Sequence, residues 1–349
     1  MMRIALDTMG GDHAPEQTVK GAVEYARCYP GDQLTVILVG SEPVLRAEVA
    51  KYSIDPDRIE IVHASEVVEM HDRPARIIKT KRDSSLVKAV ELLQAGKVDA
   101  AVSAGNTGAF LSASLFLLNC VPGVRRPAIC PLIPTAHGGF LLCDAGANVD
   151  VRAQDLVQFA LMARAYSIHI FNHPKPRVGL LNIGTEVGKG NDLTVRAYDL
   201  LAEHIDNFIG NVEARDLFAG VADVVVCDGF VGNIVIKIVE GMVLHVSGWA
   251  RKKVKRYPFS RLVLPLMRPV LKDLVQELDY EEHGGSPLLG LNGVVVVAHG
   301  SSSARAIMNA LNTAHRSVSE NLITSIQQGI EAHLDIFEER NGVAAKQNS

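Results

Sequence analysis

The stretch LLNIGTEVGKGNDL, from Leu180 to Leu193, decides how this chain folds. A strand-like run, Val178 to Ile183, stops abruptly at Gly184, Thr185, Glu186, Val187, Gly188, Lys189, Gly190 and Asn191, and a helical pattern follows from Asp192. A glycine-rich turn between a strand and a helix leaves backbone N–H groups beside the positive end of the helix dipole. That is a place to hold a phosphate or an oxyanion. Lys189 adds a full positive charge inside the turn. The dipole disfavours a cation at a helix start, so this placement points to a bound anion; an ordinary surface lysine is the plain alternative.

The same pattern recurs outward in both directions. RIALDTMGGDHAP begins at Arg3 and DAAVSAGNTGAFL at Asp99; DVVVCDGFVGNIVIK begins at Asp223 and GVVVVAHGSSSARAI at Gly293. Five such units predict an α/β fold with a mainly parallel sheet, whose C-terminal strand ends gather several anion-holding loops. The loop residues that would hold a phosphate or a thioester are Gly10, Gly11, Asp12, Gly105, Asn106, Thr107, Gly184, Thr185, Gly188, Gly232 and His299, with Lys189 and Asn233 beside them. Several have plainer readings. Asp7 and Asp12 suit Asx turns, Asn106 and Thr107 suit a cap and turn, and Asn233 suits a helix cap. A strand-end histidine such as His299 is often a satisfied core group.

Further strand-like runs are Ile4–Leu6, Leu34–Val39, Ile59–Val62, Ala100–Val102, Ala128–Ile133, Phe140–Cys143, Val224–Cys227 and Val294–Ala298. Helical patterns at Ser85–Ala95, Asp155–Tyr166 and Leu193–His204 lie between them. The Gly-Gly turn within Ala136–Gly139 predicts one hairpin and so a mixed sheet.

The 349 residues, 48% of them hydrophobic, suffice for a large core, and the net charge of −4 argues against wholesale nucleic-acid binding. The cysteines, Cys28, Cys120, Cys130, Cys143 and Cys227, are odd in number and widely spaced, which reads as reduced cytosolic thiols rather than disulfides or zinc ligands. The N-terminus carries no signal-peptide pattern, and no run approaches the ~20 apolar residues of a spanning helix.

Two basic segments stand out. From Arg251 to Lys272 there are eight basic residues and no acid, interleaved with Leu262, Leu266, Met267 and Val270 and broken by Pro258, Pro265 and Pro269. Such a segment suits an anionic membrane surface, and equally a core-packed helix pair with a solvated basic face. The second is Arg73, Arg76, Lys79, Lys81 and Arg82, a docking strip for an acidic protein or a solvated helix face.

GTEVGKG has three residues between its first two glycines where a P-loop has four, and Gly190 stands where a P-loop places Ser or Thr. His137–Gly139 has the look of an esterase oxyanion loop, but there is no G-x-S-x-G elbow. No H-E-x-x-H or carboxylate cluster argues for a metal.

Taken together, MRIALDTMGGDHAP, SAGNTGA, RRPAI, DAGANVD, NIGTEVGKGND, DVVVCDGFVGN and GGSPLLGLNGVVVVAHGSSSARAI resemble the bacterial acyl-carrier-protein:phosphate acyltransferases, the PlsX family. They run from Met2 to Ile307 in the family's order. Departures are small: Thr8 where the family often has Ala or Val, Cys143 and Ala145 for commoner Leu and Val, and Val187 at a place often held by Glu.

The resemblance implies a three-layer α/β/α sandwich, related to isopropylmalate dehydrogenase and phosphotransacetylase, forming a homodimer. It implies transfer of a fatty acyl group from acyl carrier protein (ACP) to inorganic phosphate, without metal, nucleotide or other cofactor. The acyl phosphate then feeds a membrane glycerol-3-phosphate acyltransferase. By resemblance Lys189 and Asn233 are the leading catalytic residues, and the protein is cytoplasmic and peripherally membrane-associated. Residues 1–337 then form one α/β catalytic domain, 251–278 a basic amphipathic helical projection within it, and 338–349 a polar tail. Leu262, Leu266, Met267 and Val270 are the expected membrane contacts.

Three other readings compete. A phosphotransacetylase-like enzyme would use acyl-CoA, and the strip at Arg73–Arg82 favours an acidic carrier protein instead. A dehydrogenase of the same fold would need acidic metal ligands, which the sequence lacks. A membrane-surface scaffold would leave the five glycine turns unexplained.

Overall fold

The computed structural model describes residues 2–29, 34–255 and 284–334, with residue 336. The chain opens with β1 (Met2–Asp7), α1 (Glu16–Cys28), β2 (Leu34–Gly40), α2 (Glu42–Val49), β3 (Ile59–His63), α3 (Ile77–Thr80), α4 (Ser85–Gln94), β4 (Ala100–Ser103) and α5 (Thr107–Leu118). It continues through β5 (Ala128–Ile129), β6 (Leu132–Ile133), β7 (Phe140–Cys143), α6 (Ala153–Phe171), β8 (Val178–Asn182), α7 (Asp192–His204), β9 (Phe208–Glu213), β10 (Val224–Val226) and α8 (Gly229–Lys255). It closes with β11 (Ser286–Leu289), β12 (Val294–Val297), α9 (Ala304–Ser319) and α10 (Leu322–Glu331).

The strands divide between two sheets. The first has the order β3-β2-β1-β4-β12-β11-β5 and the second β6-β7-β10-β8-β9. Pairing is parallel except where β11 meets β12 and β5, and where β6 meets β7. The α/β reading therefore holds, with parallel pairing dominant. The expected hairpin is the β6–β7 pair, with Ile133 opposite Phe140 and both Gly138 and Gly139 at positive φ. The run Ala128–Ile133, read as one strand, splits at Cys130–Pro131 and serves both sheets. Proline has no N–H to donate to a ladder, so a strand that reaches Pro131 gains by changing partners there.

Alternation of side chains gives each sheet two covered faces. In the first, Ile4, Leu6, Val36, Val102 and Val296 pack with Val19, Val23, Ile307 and Leu311 of α1 and α9. On its other face, Ala101, Val295 and Val297 meet Val87 and Val90 of α4 and Phe110 of α5. In the second, Leu141, Val178, Val224 and Val226 bury against α6, α7 and α10. Its opposite face, with Phe140, Leu142, Leu181 and Val225, takes Val235 and Ile236 of α8.

Helix α8 runs into the first basic segment and is described as far as Lys255. Leu262, Leu266, Met267 and Val270, and so most of the expected projection, lie outside the described residues, as does the 338–349 tail. Among the described residues, no helix is long and apolar enough to cross a membrane.

Candidate active site

In the first sheet the chain moves outward through β2 and β3 and returns to place β4 on the other side of β1, making a switch point between β1 and β4. Ligands bind outside the carboxyl ends of strands at such a point. Asp7 ends β1 and is buried. It accepts a hydrogen bond from the Ser103 hydroxyl at the end of β4 (2.7 Å) and one from the Met9 N–H (3.3 Å). Burial pushes the Asp7 carboxyl above its ordinary range, against the pull of these donors.

The Gly10 backbone lies so near that an added Cβ would stand 2.5 Å from the Asp7 carboxylate and 2.8 Å from the Gly105 backbone. Only glycine fits. The Asp12 N–H donates to the Gly300 carbonyl at 2.7 Å, tying in the loop after β12. Gly10, Gly11, Asp12 and Gly105 are thus brought together. His299, beside Gly300, is exposed rather than packed in the core, with Nδ1 2.8 Å from the Ser301 hydroxyl.

Asn106 takes its plain reading. Its side-chain oxygen accepts from the Ala109 N–H at 3.0 Å and caps α5, while Nδ2 donates to the carbonyls of Glu69, Met70 and Asp72. Both ends of the amide are engaged, and the residue anchors the segment that carries the basic strip. Pro74 packs on Gly108 beside it. Within that strip Arg73, Arg76 and Lys79 face solvent. Lys81 pairs with Asp72 at 2.6 Å, both partly buried, and so serves the fold, while Arg82, 81% exposed, lies 3.5 Å from Glu91 and stays at the surface.

In the second sheet, β10 lies between β7 and β8, so the loops after all three leave one edge side by side. Asp144 organises the first. It is fully buried and accepts the N–H groups of Ile129 (3.0 Å), Gly146 (3.2 Å), Ala147 (3.1 Å) and Asn148 (2.7 Å), and the Asn148 side-chain amide (3.0 Å). Burial raises its pKa and these donors oppose the shift. Ile129 belongs to the first sheet, so this carboxylate also joins the two sheets. The Asn148 carbonyl accepts from Gly229 at the start of α8 (2.8 Å).

The cap of α8 is Asp228, which accepts from the Val231 N–H at 2.9 Å. Asn233 therefore does not cap. It stands one turn in, exposed, with its side chain against Gly146, where an added Cβ would lie 3.5 Å from that of Asn233. Among the described residues its amide has no hydrogen-bond partner. Gly232 touches the Asp144 carbonyl so closely that any Cβ would overlap it.

The turn after β8 is fastened from beneath. Asn182 donates to the Lys189 carbonyl (2.9 Å) and Asn211 to that of Glu186 (2.9 Å). Asn191 caps α7 through the Thr194 N–H at 3.0 Å. Gly190, at φ +101°, is crowded by Thr194 and Asn182. The Lys189 ammonium is half exposed and 3.7 Å from Glu186. The helix-start cation therefore has a partner within its own turn. An exposed pair of this kind contributes about 0–1 kcal/mol, weak enough to yield to an incoming anion. Among the described residues no hydrogen bond or ion pair joins Lys189 to Asn233, or either to the Gly10–Gly105 cluster; Lys189 and Asn233 follow neighbouring strands.

Asp144, Asn148, Asn182, Asn211, Ser103 and Asp228 escaped the sequence reading. The Asx signals in DAGAN and CDG were there to find. Among the described residues no cluster of three His, Cys, Asp or Glu side chains stands close enough to hold a metal ion.

The sequence pattern of the family described as "Fatty acid synthesis protein" matches residues 2–325. "Phosphate acyltransferase" of Dictyoglomus thermophilum is 47% identical over 336 residues, covering 96% of this chain and 99% of the relative. The chain belongs to the phosphate acyltransferase family. The protein of that name from Halothermothrix orenii is 45% identical over 331 residues, covering 94% of this chain and 98% of its own length. Among solved structures, a phosphotransacetylase from Streptococcus pyogenes superposes with a TM-score of 0.59 at 19% identity, covering 95% and 94% of the two chains. A branched-chain phosphotransacylase from Enterococcus faecalis gives 0.55 at 17%, covering 91% and 99%. These confirm the fold expected from the resemblance. As a phosphate acyltransferase family member, the protein is an acyltransferase.

Proposed function

We propose that this phosphate acyltransferase family member moves a fatty acyl group from the thioester of acyl carrier protein directly onto inorganic phosphate. The observation that carries the reading is the second-sheet edge. An exposed lysine in a glycine turn and, in the first turns of α8, an asparagine amide without a hydrogen-bond partner among the described residues follow adjacent strands there, near thiols that are buried. Cys143 and Cys227 are buried, and burial pushes both thiols well above the ordinary range. Neither suits an acyl-enzyme intermediate.

Bound phosphate is then the nucleophile. Its oxygen attacks the thioester carbonyl carbon, a tetrahedral oxyanion forms, and the C–S bond breaks. Acyl phosphate results, and the carrier leaves as its thiolate, protonated from solvent. Lys189 balances phosphate charge, Asn233 donates to the oxyanion, and the turn N–H groups orient both. Gly10, Gly11, Asp12, Gly105, Thr107 and His299, at the strand ends of the first sheet, are the further candidates for phosphate or thioester contact in this reading. The test is production of acyl phosphate from acyl-ACP and phosphate, with acyl-CoA as a parallel donor. No acyl phosphate from acyl-ACP sinks the reading, and turnover with acyl-CoA alone replaces it by the phosphotransacetylase-like one.

The exposed cations Arg73, Arg76 and Lys79, on the segment that Asn106 anchors, suit the docking of an acidic carrier. Replacing all three with Glu is expected to lower kcat/KM for acyl-ACP about tenfold at low salt, through slower association, and added salt should mimic the change. Stopped-flow binding against ionic strength checks this; rates insensitive to both changes would move the docking surface elsewhere.

The homodimer reading is supported by an exposed stripe on α8, formed by Ile238, Met242, Val246 and Trp249. Contact of Leu262, Leu266, Met267 and Val270 with an anionic membrane rests on the composition of that segment, and would deliver acyl phosphate to a membrane glycerol-3-phosphate acyltransferase.

A further inference from the structure

The loops after β7, β10 and β8 share a further property that phosphate chemistry does not use. Each exposes a large apolar side chain. Val149 is 62% exposed after β7, Phe230 is 57% exposed after β10, and Ile183 and Val187 are 82% and 70% exposed in the turn after β8. Register brings the ends of β7 and β10 level, with Val226 opposite Cys143, and β8 runs two residues further, from Leu180 opposite Val226 to Asn182, before its turn begins. One exposed aliphatic residue needs no explanation. Four of them follow three adjacent strands, in the same segments that carry Lys189 and Asn233, which is more than scattered exposure.

We propose that Val149, Phe230, Ile183 and Val187 form the rim that receives the hydrocarbon chain of the acyl donor, and so set its chain-length preference. The inference rests on the acyl-transfer reading above. A thioester whose carbonyl lies against Lys189 and Asn233 must lay its first methylenes across their neighbours in the chain, and those neighbours include exposed apolar side chains. Ile183 directly precedes Gly184, and Val187 is two residues from Lys189. Phe230 lies three residues before Asn233, on the same side of the first turns of α8. Val149 follows Asn148, whose carbonyl holds the Gly229 N–H. Each methylene withdrawn from water tightens binding about fourfold, so a modest rim gives a steep dependence on chain length.

The experiment compares butyryl and hexadecanoyl thioesters of acyl carrier protein as donors. The variants are Ile183→Ser with Val187→Ser, and separately Phe230→Ser. All three positions are exposed, and a thermal melt confirms that each variant folds. The expected result is a fall of about tenfold in kcat/KM for the hexadecanoyl donor, carried by KM, with less than about a twofold change for butyryl. Equal losses for both donors, or none for either, overturn the proposal. So does a change of oligomeric state in sedimentation without a chain-length effect, which would make the patch a contact between copies of this chain. Wild-type protein that forms no acyl phosphate from either donor overturns the parent reading, and this one with it.

Discussion

Lys189→Ala is expected to lower acyl phosphate turnover by about a hundred- to a thousandfold, the usual cost of removing one group that stabilises developing negative charge. The melting temperature should stay close to that of wild type. Two magnitudes decide between the catalytic and the plain reading. As a surface residue, Lys189 has only the exposed 3.7 Å pair with Glu186 to lose, about 0–1 kcal/mol. As the cation that holds phosphate and meets the oxyanion, its loss raises the barrier by about 3–4 kcal/mol.

The turn itself survives the substitution. It is held by Asn182 and Asn211 through backbone carbonyls, including that of Lys189, and alanine leaves those bonds in place. Steady-state turnover at saturating acyl-ACP and phosphate measures the effect. Lys189→Arg keeps the charge and should recover part of the rate. Unchanged turnover in the alanine variant would remove Lys189 from the chemistry and leave it the surface lysine of the plain reading.

What the sequence disclosed, and what it hid, follow one rule. Signals carried by a contiguous string were legible. The five glycine turns do follow strands, and the helices at Ser85, Ala153 and Asp192 begin within two residues of where periodicity places them. Strands whose existence depends on a neighbour were not. FIGNVE in β9 has Gly and Asn in its middle, and SPLL in β11 contains a proline; each is a strand because a sheet edge or an antiparallel partner holds it.

The same holds for side chains. Lys81 looked free because no acid lies between Arg73 and Arg82, yet its partner, Asp72, stands one residue outside that window. Asn106 looked like an anion contact until three carbonyls from residues 69–72 took up its amide. Asn233 looked like a cap, and the cap proved to be Asp228. That shift leaves the Asn233 amide without a hydrogen-bond partner among the described residues, which strengthens its candidacy for the chemistry.

Asp144→Ala is expected to destabilise the protein by about 3–5 kcal/mol, the range in which an interior polar network loses its central member. Alanine would leave buried N–H groups of Ile129, Gly146, Ala147 and Asn148 without acceptors, each worth about 1–3 kcal/mol if it stays unpaired. The full sum is not expected, because water entry and loop relaxation recover part of it. Asp144→Asn separates shape from hydrogen bonding. It fills the same space, yet its NH2 group must face N–H donors on one side, so about 1–3 kcal/mol should still be lost.

Because the network reaches Gly229 and sets Gly146 against Asn233, activity should fall along with stability, and it should fall first where the loop opens locally. Urea denaturation gives the global loss. Hydrogen exchange at residues 145–148 and 229–233 reports the local one. An alanine variant that stays within about 1 kcal/mol of wild type, with those amides still protected, would mean that the Asn148 and Gly229 contacts hold the loop without the carboxylate.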